Sequence, residues 1–403
     1  IQFNGTYDFQ GSKIKNPKIG IPEIENIYGI LEFDNNNVSI KKSNASLYNS
    51  PLNIELATQN GVNQFKVNGV FNSAFVEEIF GSQFSNNING EATWNAEINL
   101  FDEKTEINVS SNMSGLSINS LGPLDKNEGD LKIFNFSKKS LANNSENIKF
   151  KYGESITAEI NQEKDSDGTF IKKVGLISVN SPNNVMPKSG VRLIANLDYI
   201  NLEDYQGLIG SDSDSFLTEA SLLIKELNVM NYKIHNASIK YMPSTKSIKY
   251  MPQNENTVIK IESNEVSGNL SWNSKKNFLV AELKKVNLIT EDKVNDNKEP
   301  LKNPPKLDLK INSLKIDNED YGYVEFKGDK VDSVWNIDHF IIERGGSPIS
   351  GNGYWSSDAQ NPTTNINFDW KMGSVEHTME KLGYKNLIKN GKNASITGIL
   401  NWN

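Results

Sequence analysis

Apolar and polar residues alternate with a period of two along most of the chain. The clearest run is NINFDWKM, where Ile366, Phe368, Trp370 and Met372 are separated by Asn367, Asp369 and Lys371. Leu307, Leu309 and Ile311 repeat the pattern, as do Ile54 with Leu56 and Ile98 with Leu100. Successive side chains of a strand point to opposite faces, so each segment presents one apolar and one polar face. Turn-forming clusters lie between them: Asp34-Asn35-Asn36-Asn37, Asp165-Ser166-Asp167-Gly168 and Gly345-Gly346-Ser347-Pro348. Such clusters supply the φ values and local hydrogen bonds that turns require. The pattern predicts a mainly β chain, a long and strongly curved antiparallel sheet whose strands are joined by short turns. With roughly 12 to 16 residues per strand and turn, it predicts about 25 to 30 strands, and at ~4.8 Å per strand an extent on the order of 100 Å.

Helical patterning is sparse. Residues 374–390 (SVEHTMEKLGYKNLIKN) predict the main helix, with Val375, Met379 and Leu382 on one face, Ser374 as cap and Gly391 as terminator. Residues 74–80 (AFVEEIF) and 201–209 (NLEDYQGLI) predict two shorter ones. Three short helices are too few to cover the apolar face of so many strands. The sheet must fold onto itself as a sandwich or barrel, or leave that face lining a cavity or an open groove.

A glycine four positions before a tryptophan recurs as Gly90–Trp94, Gly268–Trp272, Gly351–Trp355 and Gly398–Trp402, which accounts for four of the 6 tryptophans. On a strand, Gly268, Leu270 and Trp272 share a face, as do Gly398, Leu400 and Trp402. Glycine permits a bend or a close backbone approach there, and tryptophan fills width. Two readings follow: a bent sheet with buried tryptophans, or tryptophans lining a ligand path. Under the second, the lining positions are Leu307, Leu309, Ile311, Ile366, Phe368, Trp370, Met372, Trp94, Trp272 and Trp402. Under the first, the same residues pack against each other in a closed core. Residues 1–403 are expected to form one elongated body. Sub-boundaries are expected at the proline-bearing stretches 180–190 (NSPNNVMPKSG) and 291–305 (EDKVNDNKEPLKNPP), and a helix-containing segment at 304–403.

The net charge is -8, and all of the 42 basic residues are lysine except Arg192 and Arg344. With neither a basic excess nor a supply of guanidinium forks for phosphates, nucleic acid is excluded as a partner. The absence of cysteine excludes disulfides, thiol catalysis and thiolate metal sites. Hydrophobic residues are 36% of the chain and the mean hydropathy is -0.53, but their regular alternation sets the chain apart from disordered compositions. No run reaches the ~18 to 20 apolar residues that cross a bilayer, and the first residues do not read as a signal peptide. The chain reads as a piece of a longer protein, so any membrane anchor is expected outside it.

Catalytic patterning is absent. His235, His339 and His377 have no metal-type spacing and read as structural or surface residues. There is no H-E-x-x-H, no G-x-S-x-G elbow and no phosphate loop. The acidic stretches at 165–168 and 211–214 lack the closing glutamate of a calcium loop and read as solvated turns. No enzyme activity, cofactor or metal is expected.

Several phrases, in order, resemble one family. PEIENIYGILEFDNNNVSIKKSNASLYNSPLNIEL (22–56), NGEATWNAEINL (89–100) and SSNMSGLSINSLGPLDK (110–126) are similar to successive segments of the YhdP-type AsmA-like proteins of Gram-negative envelopes. So are KSGVRLIANLDYINLEDYQGLI (188–209), PPKLDLKINSLKIDNEDYGYVEFKGDKVDSVWNIDHFIIERGGSPISGNGYW (304–355) and LGYKNLIKNGKNASITGILNW (382–402). Departures are local: Gly122 and Leu124 flank Pro123 and the first proline of the family's pair is missing, Ala195 stands in place of a common glycine, and Tyr205 in place of a common tryptophan. The resemblance implies a periplasmic segment tethered to the inner membrane by an N-terminal helix outside this chain. It implies a taco-shaped β-groove whose apolar face carries phospholipid acyl chains toward the outer membrane or an outer-membrane protein. The competing reading from the residues is a cell-surface adhesin or scaffold built as a closed sandwich or β-solenoid. The G-x-x-x-W returns fall at unequal intervals, which argues against a solenoid repeat.

Overall fold

The computed structural model describes residues 2–402 apart from 17–20, 102–103, 120–121, 142–143, 166–169, 183–184, 203–216, 230–231, 244–256, 274–275, 291–304, 333, 357–362 and 382–383. Strands make up 74% and helices 6% of the described residues, so the chain is mainly β as its alternation predicts. Its contacts divide it into two compact units, Ile1–Leu197 with Ser213–Thr218, and Asp198–Asp212 with Glu219–Asn403.

The first unit contains β1 (Asn4–Asn16), β2 (Ile21–Asp34), β3 (Val38–Leu47), β4 (Ser50–Gln59) and β5 (Val62–Phe71), then α1 (Ser73–Phe80) and α2 (Ser82–Ser85). It continues with β6 (Ile88–Gly90), β7 (Ala92–Phe101), β8 (Lys104–Ser111), β9 (Leu116–Ile118), β10 (Phe134–Ser140), β11 (Ser145–Tyr152), β12 (Ile156–Lys164), β13 (Phe170–Val179) and β14 (Gly190–Asn201), whose last residues belong to the second unit. Each strand pairs with the next available one. β6 and β9 step out of the series and pair with each other, so that β5 meets β7 and β8 meets β10. The second unit contains β15 (Glu219–Val229), β16 (Tyr232–Pro243), β17 (Thr257–Glu262), β18 (Val266–Asn273), β19 (Phe278–Leu288), β20 (Lys306–Ile316) and β21 (Glu319–Val331). β22 (Val334–Arg344), β23 (Ser347–Ser356), β24 (Thr364–Ser374), α3 (Val375–Lys381) and β25 (Lys392–Trp402) complete it.

Neither unit closes into a barrel. Among the described residues β1 pairs only with β2, and β25 only with β24. The turn expected at residues 34–37 is built as such: the Asp34 carboxylate accepts from the backbone N–H of Asn36 and of Asn37, each at 2.8 Å.

The expectation of a wholly antiparallel series is corrected at two joins. β13 pairs with β14 in parallel, and so does β19 with β20. A parallel neighbour requires the chain to return to the end from which the previous strand began, which no tight turn can do. The connections that make these returns, 180–189 and 289–305, coincide with the two proline-bearing stretches.

Helix α1 agrees with the expected 74–80. Asn72 caps it by accepting from Phe75 N–H at 3.0 Å, and Ser50 donates to the same oxygen at 3.0 Å. The expected helix over 374–390 is shorter than its pattern: α3 ends at Lys381. Ser374 does cap it, accepting from His377 N–H at 3.3 Å, but Gly391 does not terminate it and instead accepts from Val375 N–H at 2.9 Å. A glycine at 383 costs a helix about 1 kcal/mol relative to alanine. Of the expected helix at 201–209, Asn201 ends β14 and residues 203–209 lie outside the described residues.

The core of the first unit is Ile27, Ala45, Leu52, Ile54, Val67, Trp94 and Ala96, with Phe9, Phe65, Phe71 and Ile98 packed against it. All come from β1–β7, on the face that alternation assigns as apolar. Phe71 meets Phe75 of α1, Trp94 and Phe134 at ring-centroid distances of 5.2, 5.8 and 5.3 Å, so α1 and β10 close over the same patch.

Candidate functional site

Register aligns the apolar positions of successive strands into continuous rows. In the second unit one row reads Tyr241, Ile259, Leu270, Ala281, Leu309, Phe326, Phe340, Gly351, Phe368, Gly398 from β16 to β25. The next reads Ile239, Ile261, Gly268, Leu283, Ile311, Val324, Ile342, Ile349, Trp370, Ile396. A third begins at Thr257 on β17 and continues through Trp272, Leu279, Leu307, Gly328, Ile337, Gly353, Ile366 and Leu400. None of the three contains a charged residue. The neighbouring row on the opposite face runs through Asn269, Glu282, Lys310, Glu325, Ile341, Ser350, Asp369 and Thr397.

The structure therefore brings Leu307, Leu309 and Ile311 onto one face with Ile366, Phe368 and Trp370, four strands further along, and adds Trp272. Met372 extends the same face toward α3 and is only 2% exposed, with Ile311 at 5%. Leu307, Leu309, Ile366, Phe368, Trp370 and Trp272 are half-buried, neither sealed in a core nor open to bulk water. Trp402 ends β25 opposite Thr364. Trp94 is in the other unit, 6% exposed in the core cluster described above. Gly90 and Trp94 fall in different strands, β6 and β7, so that instance of the glycine–tryptophan spacing does not describe one strand.

The remaining glycines of the pattern let backbones and rings approach closely. A Cβ on Gly351 would lie 2.2 Å from the Asn367 carbonyl oxygen and 2.7 Å from the Phe340 ring. One on Gly398 would lie 2.9 Å from the Phe368 ring, and one on Gly69 would lie 2.3 Å from Trp94. Aromatic side chains thus lie flat across neighbouring-strand glycines and widen the apolar surface without raising its height.

The first unit carries a comparable apolar row, Ile54, Val67, Ala96, Val109, Phe136, Phe150, Ala158, Ile177, Leu193. One row over, Lys138 interrupts Ile107 and Ile148. Its ammonium lies 3.2 Å from Glu146, which is also 3.3 Å from Lys164 and accepts from Gln162 at 2.8 Å. Burial pushes the Glu146 carboxyl upward, but the Gln162 hydrogen bond and the two lysines outweigh it and hold the group below its ordinary value. Near the other end of these strands Lys126, 3% exposed, donates to the carbonyls of Leu116 and Asn127 at 2.7 and 2.8 Å, and burial lowers its pKa. Tyr152, pushed up to about 12 by burial, donates to Leu124 carbonyl at 2.9 Å. These are the bonds of a packed edge, and none is arranged for proton transfer to a ligand.

A cavity of about 810 Å³ opens on the polar side of the first unit's strands, with backbone of the apolar-row residues Val109, Phe136, Phe150 and Ala158 also bordering it. The side chains of Asn95, Glu97, Asn108, Ser110, Lys149 and Glu159 line it from the polar face of β7, β8, β11 and β12, with Met186 beside them. It contains no histidine, and its acids are dispersed along separate strands. Among the described residues no group of three or more histidines and carboxylates is placed to hold a metal, and no helix is long and apolar enough to cross a membrane. His235 is held by Glu265, whose two oxygens take its ring nitrogen at 2.8 Å and its backbone N–H at 2.6 Å. Of the acidic stretches read as turns, 211–214 and most of 165–168 lie outside the described residues.

Comparison with known proteins gives one family. A family model described as YhdP protein matches residues 1–403. No curated protein matches the chain, and no solved structure does.

Proposed function

Since the chain belongs to the YhdP family, we propose that it is a non-enzymatic stretch of a lipid conduit, carrying phospholipids between the inner and outer membranes through the periplasm. The observation that supports this reading most directly is the trio of charge-free rows across β17–β25, most of whose larger side chains are half-buried. A closed core would seal such side chains, and a water-facing sheet would not align them.

Acyl chains lie along these rows, and head groups stay in water at the open margin. Each methylene removed from water contributes about 0.8 kcal/mol, so chains are held without a fixed polar site. Neighbouring positions along a row are chemically alike, so sliding from strand to strand crosses no desolvated charge.

The test is native mass spectrometry of the chain purified from a membrane-containing bacterial lysate. Co-purifying phospholipid is expected with the wild type and its loss with Phe368→Glu, circular dichroism being unchanged. A stable, lipid-free wild-type monomer would overturn the conduit and leave the closed-core scaffold.

A further inference from the structure

The apolar face of the second unit ends, at the α3 margin, in a cavity of about 320 Å³ that differs from the rest of the rows. Its floor is Ile342, Ile349 and Trp370, three consecutive members of one apolar row. Its wall is polar and carries both signs of charge. Arg344 and His377 stand with Ser347 and Thr378, and Glu319 and Asp320 face the same space from the start of β21.

Each wall element has a structural reason to be there. Gly322 lets β21 approach β22 closely, since a Cβ at that position would lie 2.2 Å from the Glu343 carbonyl oxygen. Asp320 is oriented by accepting from Gly322 N–H at 3.0 Å through one oxygen. The Thr378 hydroxyl donates to Ser374 carbonyl at 2.7 Å and lies 3.1 Å from the Ser347 hydroxyl, which pins α3 over the β22–β23 turn. Arg344 is one of two arginines in a chain otherwise supplied with lysine, and among the described residues it forms no ion pair. A guanidinium offers a planar fork that matches phosphate oxygens, which a lysine does not.

We propose that this cavity is a head-group site for a zwitterionic phosphate–amine phospholipid. The phosphate is taken by Arg344 with His377 and the Ser347 hydroxyl, the ammonium by Glu319 and Asp320, and the acyl chains run onto Ile349 and Trp370. The inference rests on the lipid-conduit reading of the same face. It adds a station at which head-group chemistry is read on a surface that elsewhere reads only apolar length. Opposite charges on two walls of one small cavity suit a head group that carries both, and they disfavour one that is only anionic, because the carboxylates would repel it.

The experiment measures retention of four probes by the whole chain: phosphatidylethanolamine, phosphatidylglycerol and diacylglycerol of matched acyl chains, and phosphoethanolamine alone. Wild type is expected to hold phosphatidylethanolamine about tenfold more tightly than diacylglycerol, the scale of one charge-assisted contact. Arg344→Gln should collapse that ratio while leaving diacylglycerol retention unchanged, and Glu319→Gln should narrow the preference over phosphatidylglycerol. Both side chains are exposed, so the variants fold. A ratio unchanged in Arg344→Gln would overturn the head-group site and leave the conduit standing. Arg344-dependent binding of phosphoethanolamine as tight as that of the intact lipid would reassign the cavity to a soluble phosphate ester. Failure of wild type to retain either intact lipid or diacylglycerol would overturn the conduit reading itself, and the head-group site with it.

Discussion

At the scale of single residues, the apolar face depends on what glycine makes possible. Gly353 has φ +155°, and a Cβ there would lie 2.0 Å from the Asn365 carbonyl oxygen, so a methyl group forces β23 away from β24. Gly346 also has a positive φ, +76°, but nothing lies within 4 Å of its Cβ position. Gly353→Ala should therefore lower stability by about 1–3 kcal/mol, the range for a strained backbone position. Gly346→Ala should cost less, because it carries the conformational penalty without the collision. Urea titration followed by tryptophan fluorescence separates the two, and equal midpoints would show that the close approach is not what the glycine is for. Glu146 offers a second test, by pH. Its folded pKa is depressed, so its stabilising contribution is present above the ordinary carboxylate range and is lost as pH falls through the folded value. Glu146→Gln should be less stable than wild type at pH 7 by on the order of 1 kcal/mol, and the gap should close as the wild-type carboxylate protonates below its unfolded pKa. A gap that persists unchanged at pH 3 would mean that packing, and not the charge, is what the substitution removes.

At the scale of elements, sequence and structure agree wherever alternation runs unbroken and part wherever a bulge resets it. β20 and β24 keep strict alternation through Leu307–Ile311 and Ile366–Met372, and their faces were legible from the residues alone. β22 was not. Its inward residues are Ile337, Phe340 and Ile342, a spacing of three then two, because the ladder shifts register between Lys327 and Gly328 opposite this point. A period-two search passes over such a strand although it lies midway across the face. The two parallel joins were illegible for another reason: turn chemistry announces a tight reversal, whereas nothing local announces which end of the sheet a long connection returns to. Phe340 and Phe368 flank Gly351 in one row, so Phe340→Glu should abolish lipid retention as fully as Phe368→Glu, with the fold intact in both. Ile311→Asp should instead unfold the second unit, because that side chain is 5% exposed and a buried unpaired carboxylate costs several kcal/mol. The discriminating readout is circular dichroism beside lipid retention. If Phe340→Glu also unfolds, β22 is core and the groove is narrower than the rows indicate.

At the scale of the whole chain, an open sheet has edges, and open edges recruit partners. β25 pairs on one side only among the described residues, and along it Ile396, Ile399 and Leu400 are 41%, 61% and 50% exposed. Ile396 and Leu400 belong to the apolar rows, whereas Ile399 lies on the other face, opposite Asn367. An edge strand that is apolar on both faces is a template for another strand, and proteins usually blunt such edges with lysine, proline or a bulge. β25 has Lys392 at its start and no charge from Asn393 to Asn401. The purified chain should therefore self-associate with rising concentration, and salt should not dissolve the assembly, because the net charge of -8 opposes association and screening weakens that opposition. Ile399→Lys should shift the population toward monomer while leaving lipid retention untouched, since its side chain is not on the lipid-facing rows. Multi-angle light scattering over a concentration series, with and without 0.5 M salt, which shortens the Debye length to roughly 4 Å, reads both effects. A wild-type chain that stays monomeric throughout would mean that the apolar edge is covered within the molecule, and β25 would then be an interior strand of a closed body instead of the margin of an open one.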